Sequence, residues 1–316
     1  MERKPRARIR KSESGSRLLD WLSARFTYLS ADEWRVMLAE GRVNVDGASA
    51  GPERILSDKE IVAFDPPPYE EPPVDSSYTV RMEDEDYLVV EKSGNIPSHP
   101  SGRFYKHSLW YLLRERYGEV HIATRLDRET SGLVLACRSQ AVASFATGQL
   151  ARGEIAKEYL VLVHGRFPVS YEAKGYLIPD TISVIRKKRR YVEGESAARD
   201  KKAESCATCF ELIDIIDPPT TGPFHGEISF LRARPRTGRT HQIRATLFSL
   251  GFPLVGDKLY GLDEAFFVRH FEGGLNEEDL TRLMLPNQAL HCSGLSFTSR
   301  SGRKIGLESR PPWAPA

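Results

Sequence analysis

Hydrophobic and polar positions along the chain fall into two blocks separated by prolines. In the first block Leu18, Leu19, Leu22 and Phe26 recur at helical spacing. Ser30-Ala-Asp-Glu33 is a capping-box pattern and predicts a second helix from Trp34 to Glu40, ended by Gly41. Val43-Asn-Val45 alternates like a short strand, and Asp46-Gly47 predicts the hairpin turn after it. Pro66-Pro-Pro68 and Pro72-Pro73, with Glu70 and Glu71 between them, predict a stiff linker over residues 66–77. A small unit is therefore expected at residues 12–65 and a large one at 78–316.

The large block mixes both periods. Tyr87-Leu-Val-Val90, Leu133-Val-Leu-Ala136 and Tyr159-Leu-Val-Leu-Val163 read as strands, with further strands over 174–178, 203–215 and 227–233. Helices are predicted from Leu109 to Tyr117, Ser139 to Arg152 and His241 to Leu250, the last closing at Gly251. Residues 262–285 read as an inserted helical pair, Ala265-Phe-Phe-Val268 and then Glu277 to Met284 capped by Asn276.

Composition adds limits. With 316 residues, 40% hydrophobic and 28% charged, the chain has the makings of a globular protein. No apolar run approaches the roughly 20 residues of a membrane helix, and the basic N-terminus has no apolar stretch of a secretory signal. Cys137, Cys206, Cys209 and Cys292 are too few for a disulfide framework, which fits a reducing compartment and leads to the expectation of a cytoplasmic protein. Cys206 and Cys209 stand three apart on a predicted strand and face opposite sides, so structural cysteines and no metal site are expected there.

The net charge of +2 hides local extremes. Residues 1–11 carry +5 and read as a basic tail. Arg186-Lys-Lys-Arg-Arg190 is a second basic block, and Arg232, Arg234, Arg236, Arg239 and Arg244 fall within residues 232–244 without an acid. Such segments suit phosphate contacts; each is otherwise a solvated face.

One stretch points to chemistry. Arg125-Leu-Asp-Arg-Glu-Thr-Ser-Gly132 sets Asp127 between two arginines, in a turn before the buried strand Leu133–Ala136. A carboxylate in a cationic loop against a sheet suits a nucleophile or an acid–base group, and the cations favour its ionised form. Asp84, Glu85 and Asp86 read instead as a solvated acidic turn, and His99 before Pro100 as structural.

Four stretches, in order, resemble the RluA-type family of RNA pseudouridine synthases over about residues 78–310. They are Val80–Gly94 with Ser98-His-Pro100, Arg125–Leu135, Lys157-Glu-Tyr159, and Thr237-Gly-Arg-Thr-His-Gln-Ile-Arg244 continued by Gly251–Gly261. Ala289-Leu-His-Cys292 is a weaker fifth. The resemblance implies an α+β fold with a mixed, mainly antiparallel central sheet and flanking helices. It also implies isomerisation of uridine to pseudouridine in RNA without cofactor or metal. Asp127 then matches the catalytic aspartate, Tyr159 the tyrosine stacked on the target base, Arg244 the arginine paired with the aspartate, and Arg125 a contact near the flipped nucleotide. Arg128, Lys157, Arg239, His241 and Gln242 are further RNA-binding candidates, although His241 and Gln242 equally suit a helix start.

The small unit resembles the S4 RNA-binding module through Arg17-Leu-Leu-Asp-Trp-Leu22 and Gly41-Arg-Val-Asn-Val-Asp-Gly47. Its closing step, Ser57-Asp-Lys-Glu-Ile61, is shifted from the module's usual Gly-Asp-x-Ile. The resemblance makes Arg17, Arg25, Arg35 and Arg42 candidate RNA contacts and favours ribosomal over transfer RNA. A monomer is expected.

The chemistry fits these residue types. The N1–C1′ bond must break and the uracil must turn and rejoin through C5. Asp127 can act on the sugar or the base as nucleophile, or abstract a proton. An aromatic face gives the loosened base a surface to turn on, and flipping it from a helix costs a few kcal/mol. Thr124 stands where family members usually carry histidine. Two other classes compete: a non-catalytic RNA-binding or ribosome-assembly factor on the same scaffold, and a hydrolase using Asp127 with His241.

Overall fold

The chain folds as two units in the computed structural model, which describes residues 5–26, 29–67, 70–216, 226–272 and 274–315. One unit runs to Pro72 and takes in Ser101–Tyr105; the other comprises Pro73–Pro100 and the chain from Lys106. Within the first, the Tyr105 amide donates to Glu71 at 2.8 Å, so the boundary differs from an uninterrupted large block starting at residue 78.

The small unit contains β1 (Arg6–Arg8), α1 (Leu18–Arg25), α2 (Ala31–Ala39), β2 (Val43–Val45), β3 (Ala48–Ser49) and β4 (Ile61–Phe64). The capping box forms: Glu33 N–H donates to Ser30 Oγ at 3.2 Å, and Ser30 N–H to Glu33 at 2.6 Å. It starts α2 at Ala31, three residues before the sequence pattern alone suggests. Asp46 (φ 49°) and Gly47 (φ 85°) both take left-handed backbone and turn β2 into β3. Trp34, fully buried, meets Phe64 edge-on at 4.9 Å.

The sheet order is β1-β4-β2-β3. The N-terminal segment is therefore no tail from residue 6 onward, because Arg6, Ala7 and Arg8 pair with Ala63, Val62 and Ile61. Burial of Ile9, only 1% exposed, inserts this strand into the small core.

In the large unit come β5 (Tyr78–Glu83), β6 (Tyr87–Lys92), α3 (Leu109–Tyr117), β7 (His121–Ile122), β8 (Ser131–Cys137), α4 (Gln140–Arg152) and β9 (Ala156–His164). They are followed by β10 (Ser170–Pro179), β11 (Arg189–Glu193), β12 (Glu204–Ile216), β13 (Ile228–Pro235) and α5 (Gln242–Ser249). Last are α6 (Ala265–Glu272), α7 (Glu277–Leu283), β14 (Leu290–Thr298) and β15 (Lys304–Glu308). Among the described residues the strands form one mixed sheet in the order β11-β10-β12-β13-β9-β14-β8-β6-β5, with β15 on β14 and β7 on β8. Its pairings are antiparallel except β14 with β8.

Local sequence explains the elements. Ser108 and Ser139 cap α3 and α4, and Gly118 and Gly153 end them with positive φ. Leu88–Val90 and Leu133–Ala136 are fully buried, as expected for runs with no polar alternation. Cys206 is buried on β12 while Cys209 is half-buried, consistent with opposite faces. Among the described residues no helix is long and apolar enough to cross a membrane.

Gly132 explains how β14 comes against the start of β8. Its φ is +108°, and a Cβ there would lie 2.4 Å from the carbonyl oxygen and 2.5 Å from the nitrogen of Cys292. Gly132→Ala is expected to destabilise the protein by at least about 1–3 kcal/mol, read as a lower denaturation midpoint, since only backbone could yield. An unchanged midpoint would show that the strands part without cost.

Candidate active site

Asp127 stands in the loop between β7 and β8, and the loop is braced from behind. Ser98 Oγ donates to the Leu126 carbonyl at 2.7 Å and accepts the Leu126 N–H at 3.0 Å. The buried Lys92 ammonium donates to the carbonyls of Ser93 (2.8 Å) and Arg128 (3.0 Å). Burial lowers the Lys92 pKa to about 7. Thr124 Oγ1 accepts the Leu135 N–H at 2.8 Å in a buried position. This threonine is therefore a brace of the loop, not a surface contact.

Arg244, on α5, joins two carboxylates. Its Nη1 donates to Asp127 Oδ2 at 2.6 Å. Its Nε and Nη2 grip Asp257 at 2.6 and 2.9 Å, a bidentate pair. Asp257 is fully buried and also accepts the N–H groups of Leu259 and Tyr260, each at 2.9 Å. The guanidinium lies 5.0 Å from the Tyr260 ring centre. Asp127 keeps 30% of its side chain exposed, so one end is held and the other faces the pocket.

The charges follow from this arrangement. Burial alone would raise the Asp127 carboxyl, but the Arg244 guanidinium outweighs it and holds it below the ordinary carboxylate range. Asp257 behaves likewise. Burial pulls at Arg244 in the opposite direction, and its two carboxylates overcome that and keep it charged. Burial, with Arg244 nearby, lowers His241 to about 4. Its Nδ1 lies 3.1 Å from the Tyr260 hydroxyl, which accepts the Arg189 N–H at 2.8 Å. The Tyr260 proton is then available to Nδ1, which suits a neutral imidazole.

A pocket of about 100 Å³ opens above Asp127. It brings together Arg125, Asp127, Lys157, Tyr159, Arg239, His241, Gln242 and Arg244 from three segments far apart in sequence. Tyr159, on β9, is 6% exposed and opposes Cys292 on β14. Burial raises its pKa well above the usual value, so it offers a neutral aromatic surface. Arg125 is exposed at the rim, and Lys157 is half-buried with its pKa lowered by burial.

Several expectations need correction. Gln242 is no free RNA contact: its amide donates to Ala207 O and Thr208 Oγ1 and accepts from Thr237 Oγ1 and Arg239 N–H. Of its two readings, the helix start wins. Arg128 does not line the pocket; it meets Glu129 at 3.0 Å and His270 at 2.9 Å. Asp127 is thus held by Arg244, distant in sequence, and not by its two neighbouring arginines.

Arg232 and Arg234 pair with Glu158 and Glu211, and Arg236 with Glu172. Strand alternation and the neighbouring strands supply acids that the local sequence lacks. The basic block 186–190 is divided: Lys188 is buried at 2.7 Å from Glu264, whereas Lys187 is exposed. Although its side chain is exposed, desolvation of its ammonium, with Arg244 and Arg128 nearby, lowers Lys187 to about 8. In the small unit, Arg17 pairs with Asp20 and Glu53, Arg25 with Glu13, Arg35 with Asp32 and Arg42 with Glu40.

Asp257 and Tyr260 are the residues the sequence reading left without a role. A signal for Asp257 was present in its place within the matched Gly251–Gly261 stretch.

The site thus joins a loop carboxylate bound by a buried arginine to a buried tyrosine in one pocket, and comparison with known proteins shows the family. The family model for RNA pseudouridylate synthase matches residues 86–249. The chain belongs to that family. It is 30% identical to an uncharacterized RNA pseudouridine synthase of Helicobacter pylori, over 71% of this chain and 70% of that one. It is 26% identical to the Saccharomyces cerevisiae mitochondrial tRNA pseudouridine(32) synthase over 84% of this chain, and spans about half (54%) of that enzyme's length. The fold is shared with the structure of human RNA Pseudouridylate Synthase Domain Containing 1, at a TM-score of 0.59 and 20% identity, over 78% of this chain and 88% of that one.

Proposed function

We propose that this protein isomerises uridine to pseudouridine in structured RNA, with Asp127 as the acting carboxylate, Tyr159 as the surface for the base and Arg244 as the group that keeps Asp127 ionised. The observation that carries this reading is the 2.6 Å Arg244–Asp127 bond in the pocket that Tyr159 lines. A uridine extruded from its helix would enter between Tyr159 and Asp127, while Arg125, Lys157 and Arg239 meet the distorted backbone. The ionised carboxylate serves as nucleophile or as base. No cofactor enters this route.

We assign the small unit to anchoring the RNA, as an S4-like module. That assignment supports ribosomal RNA as substrate, whereas the yeast relative is named for transfer RNA. Mapping pseudouridines in both RNA classes from a strain lacking the protein tests the proposal. Loss of one or a few sites is expected, first in ribosomal RNA. Unaltered maps in both would refute it. The hydrolase alternative loses support because Asp127 is bound to Arg244 and His241 to Tyr260.

A further inference from the structure

We infer that the small unit holds RNA in a groove built by its N-terminal edge strand, which Arg25 joins but Arg17, Arg35 and Arg42 do not line. The inference rests on the reading that this unit anchors RNA. The groove, about 610 Å³, is lined by Arg6, Arg8, Arg10, Arg25 and Lys59, with Asp58 as its carboxylate and Phe26 beside them.

Geometry explains the cluster. β1 lies at the edge of its sheet, with β4 on one side. Arg6, Arg8 and Arg10 alternate with Ala7 and the buried Ile9, so all three side chains stand on the exposed face. In extended chain, alternate residues lie about 6.7 Å apart, so the arginines form a row and not a point. Lys59 joins them because its N–H bonds to the Ile9 carbonyl at 3.0 Å. Burial of Ile9 fixes the row in place.

Pairing separates this row from the other candidates. Among the described residues, Arg6, Arg8, Arg10 and Lys59 have no carboxylate at ion-pair distance, whereas Arg17, Arg35 and Arg42 each have at least one and Arg25, at the groove's side, is paired with Glu13. Neighbouring unpaired cations repel one another, and a polyanion relieves that repulsion while releasing its own counterions. In a member of an RNA-modifying family, the polyanion of matching chemistry is an RNA backbone laid along the strand.

The test compares two triple variants of the full-length protein for binding labelled bulk ribosomal RNA and bulk transfer RNA at several salt concentrations. Arg6→Gln/Arg8→Gln/Arg10→Gln is expected to weaken binding and to reduce the slope of log affinity against log salt by roughly 2–3, from about 0.7–0.9 per lost phosphate contact. Arg17→Gln/Arg35→Gln/Arg42→Gln is expected to leave the slope near wild type. The first set of side chains is exposed, so an unchanged melting profile checks the fold. A slope that falls only in the second variant overturns the groove yet keeps RNA anchoring by the small unit. A slope that moves in neither variant overturns both, and would leave the groove to an acidic protein. Lys59→Asn, which tolerates the left-handed backbone at φ 72°, should lower the slope by about 0.7–0.9 by itself.

Discussion

Asp127→Asn is expected to abolish pseudouridine formation while RNA binding persists. The amide matches the carboxylate in shape but can neither attack nor accept a proton. Arg244 retains both of its bonds to Asp257, so the pocket should keep its form. Loss of a positioned acid–base group alone costs roughly 10²–10⁴-fold, and loss of a nucleophile leaves no route at all. Tritium release from 5-tritiated uridine RNA reads the chemistry, and filter binding reads the affinity. Substantial release by the purified variant would remove Asp127 from the chemistry. Lost release together with lost binding would point instead to a collapsed pocket.

Arg244→Met should damage both stability and rate, because it strands two carboxylates. Breaking a buried ion pair from one side costs about 3–5 kcal/mol. Asp257, fully buried, has only the two backbone donors left. The pH dependence gives the sharper test. In the wild type both carboxyls are held below their ordinary value, so their contribution is present above the unfolded pKa of about 3.9 and is lost as pH falls through the lower folded value. Without Arg244 burial dominates and the shift reverses. The variant's folded state then takes up protons in preference to the unfolded one, and its stability falls as pH rises above about 4.

The stability gap between wild type and variant should therefore widen from acid toward neutral pH, and the acid limb of turnover should move upward. Denaturation midpoints and single-turnover rates between about pH 5 and pH 9 measure both. A variant with the wild-type rate profile over that range would show that Arg244 does not set the charge of Asp127.

Strand and helix positions were legible wherever local chemistry decided them. Ser108, Ser139 and Asn276 place their helices through side chains that bond the next turn. Leu133–Ala136 had to be buried, since such a run has no polar face to offer water. The N-terminal strand was missed because Arg6, Arg8 and Arg10 dominate its composition, and only the burial of Ile9 reveals the pairing.

At the site, the sequence by itself determined which residue types the chemistry requires: a carboxylate in a turn before a buried strand, a tyrosine on a strand and an arginine opening a helix. Tertiary structure alone decided the electrostatics. Arg244 meets Asp127 across 117 residues of chain and is itself held by Asp257. The arginines adjacent to Asp127 in sequence turn elsewhere: Arg125 to the rim and Arg128 to Glu129 and His270. The same holds for charge in general. A run of arginines without local acids reads as a phosphate surface, yet β9, β10 and β12 bring Glu158, Glu172 and Glu211 against Arg232, Arg234 and Arg236. The physical reason is range. Helix caps and apolar periodicity act between near neighbours in the chain, whereas a charge responds to whatever lies within a few ångströms in space.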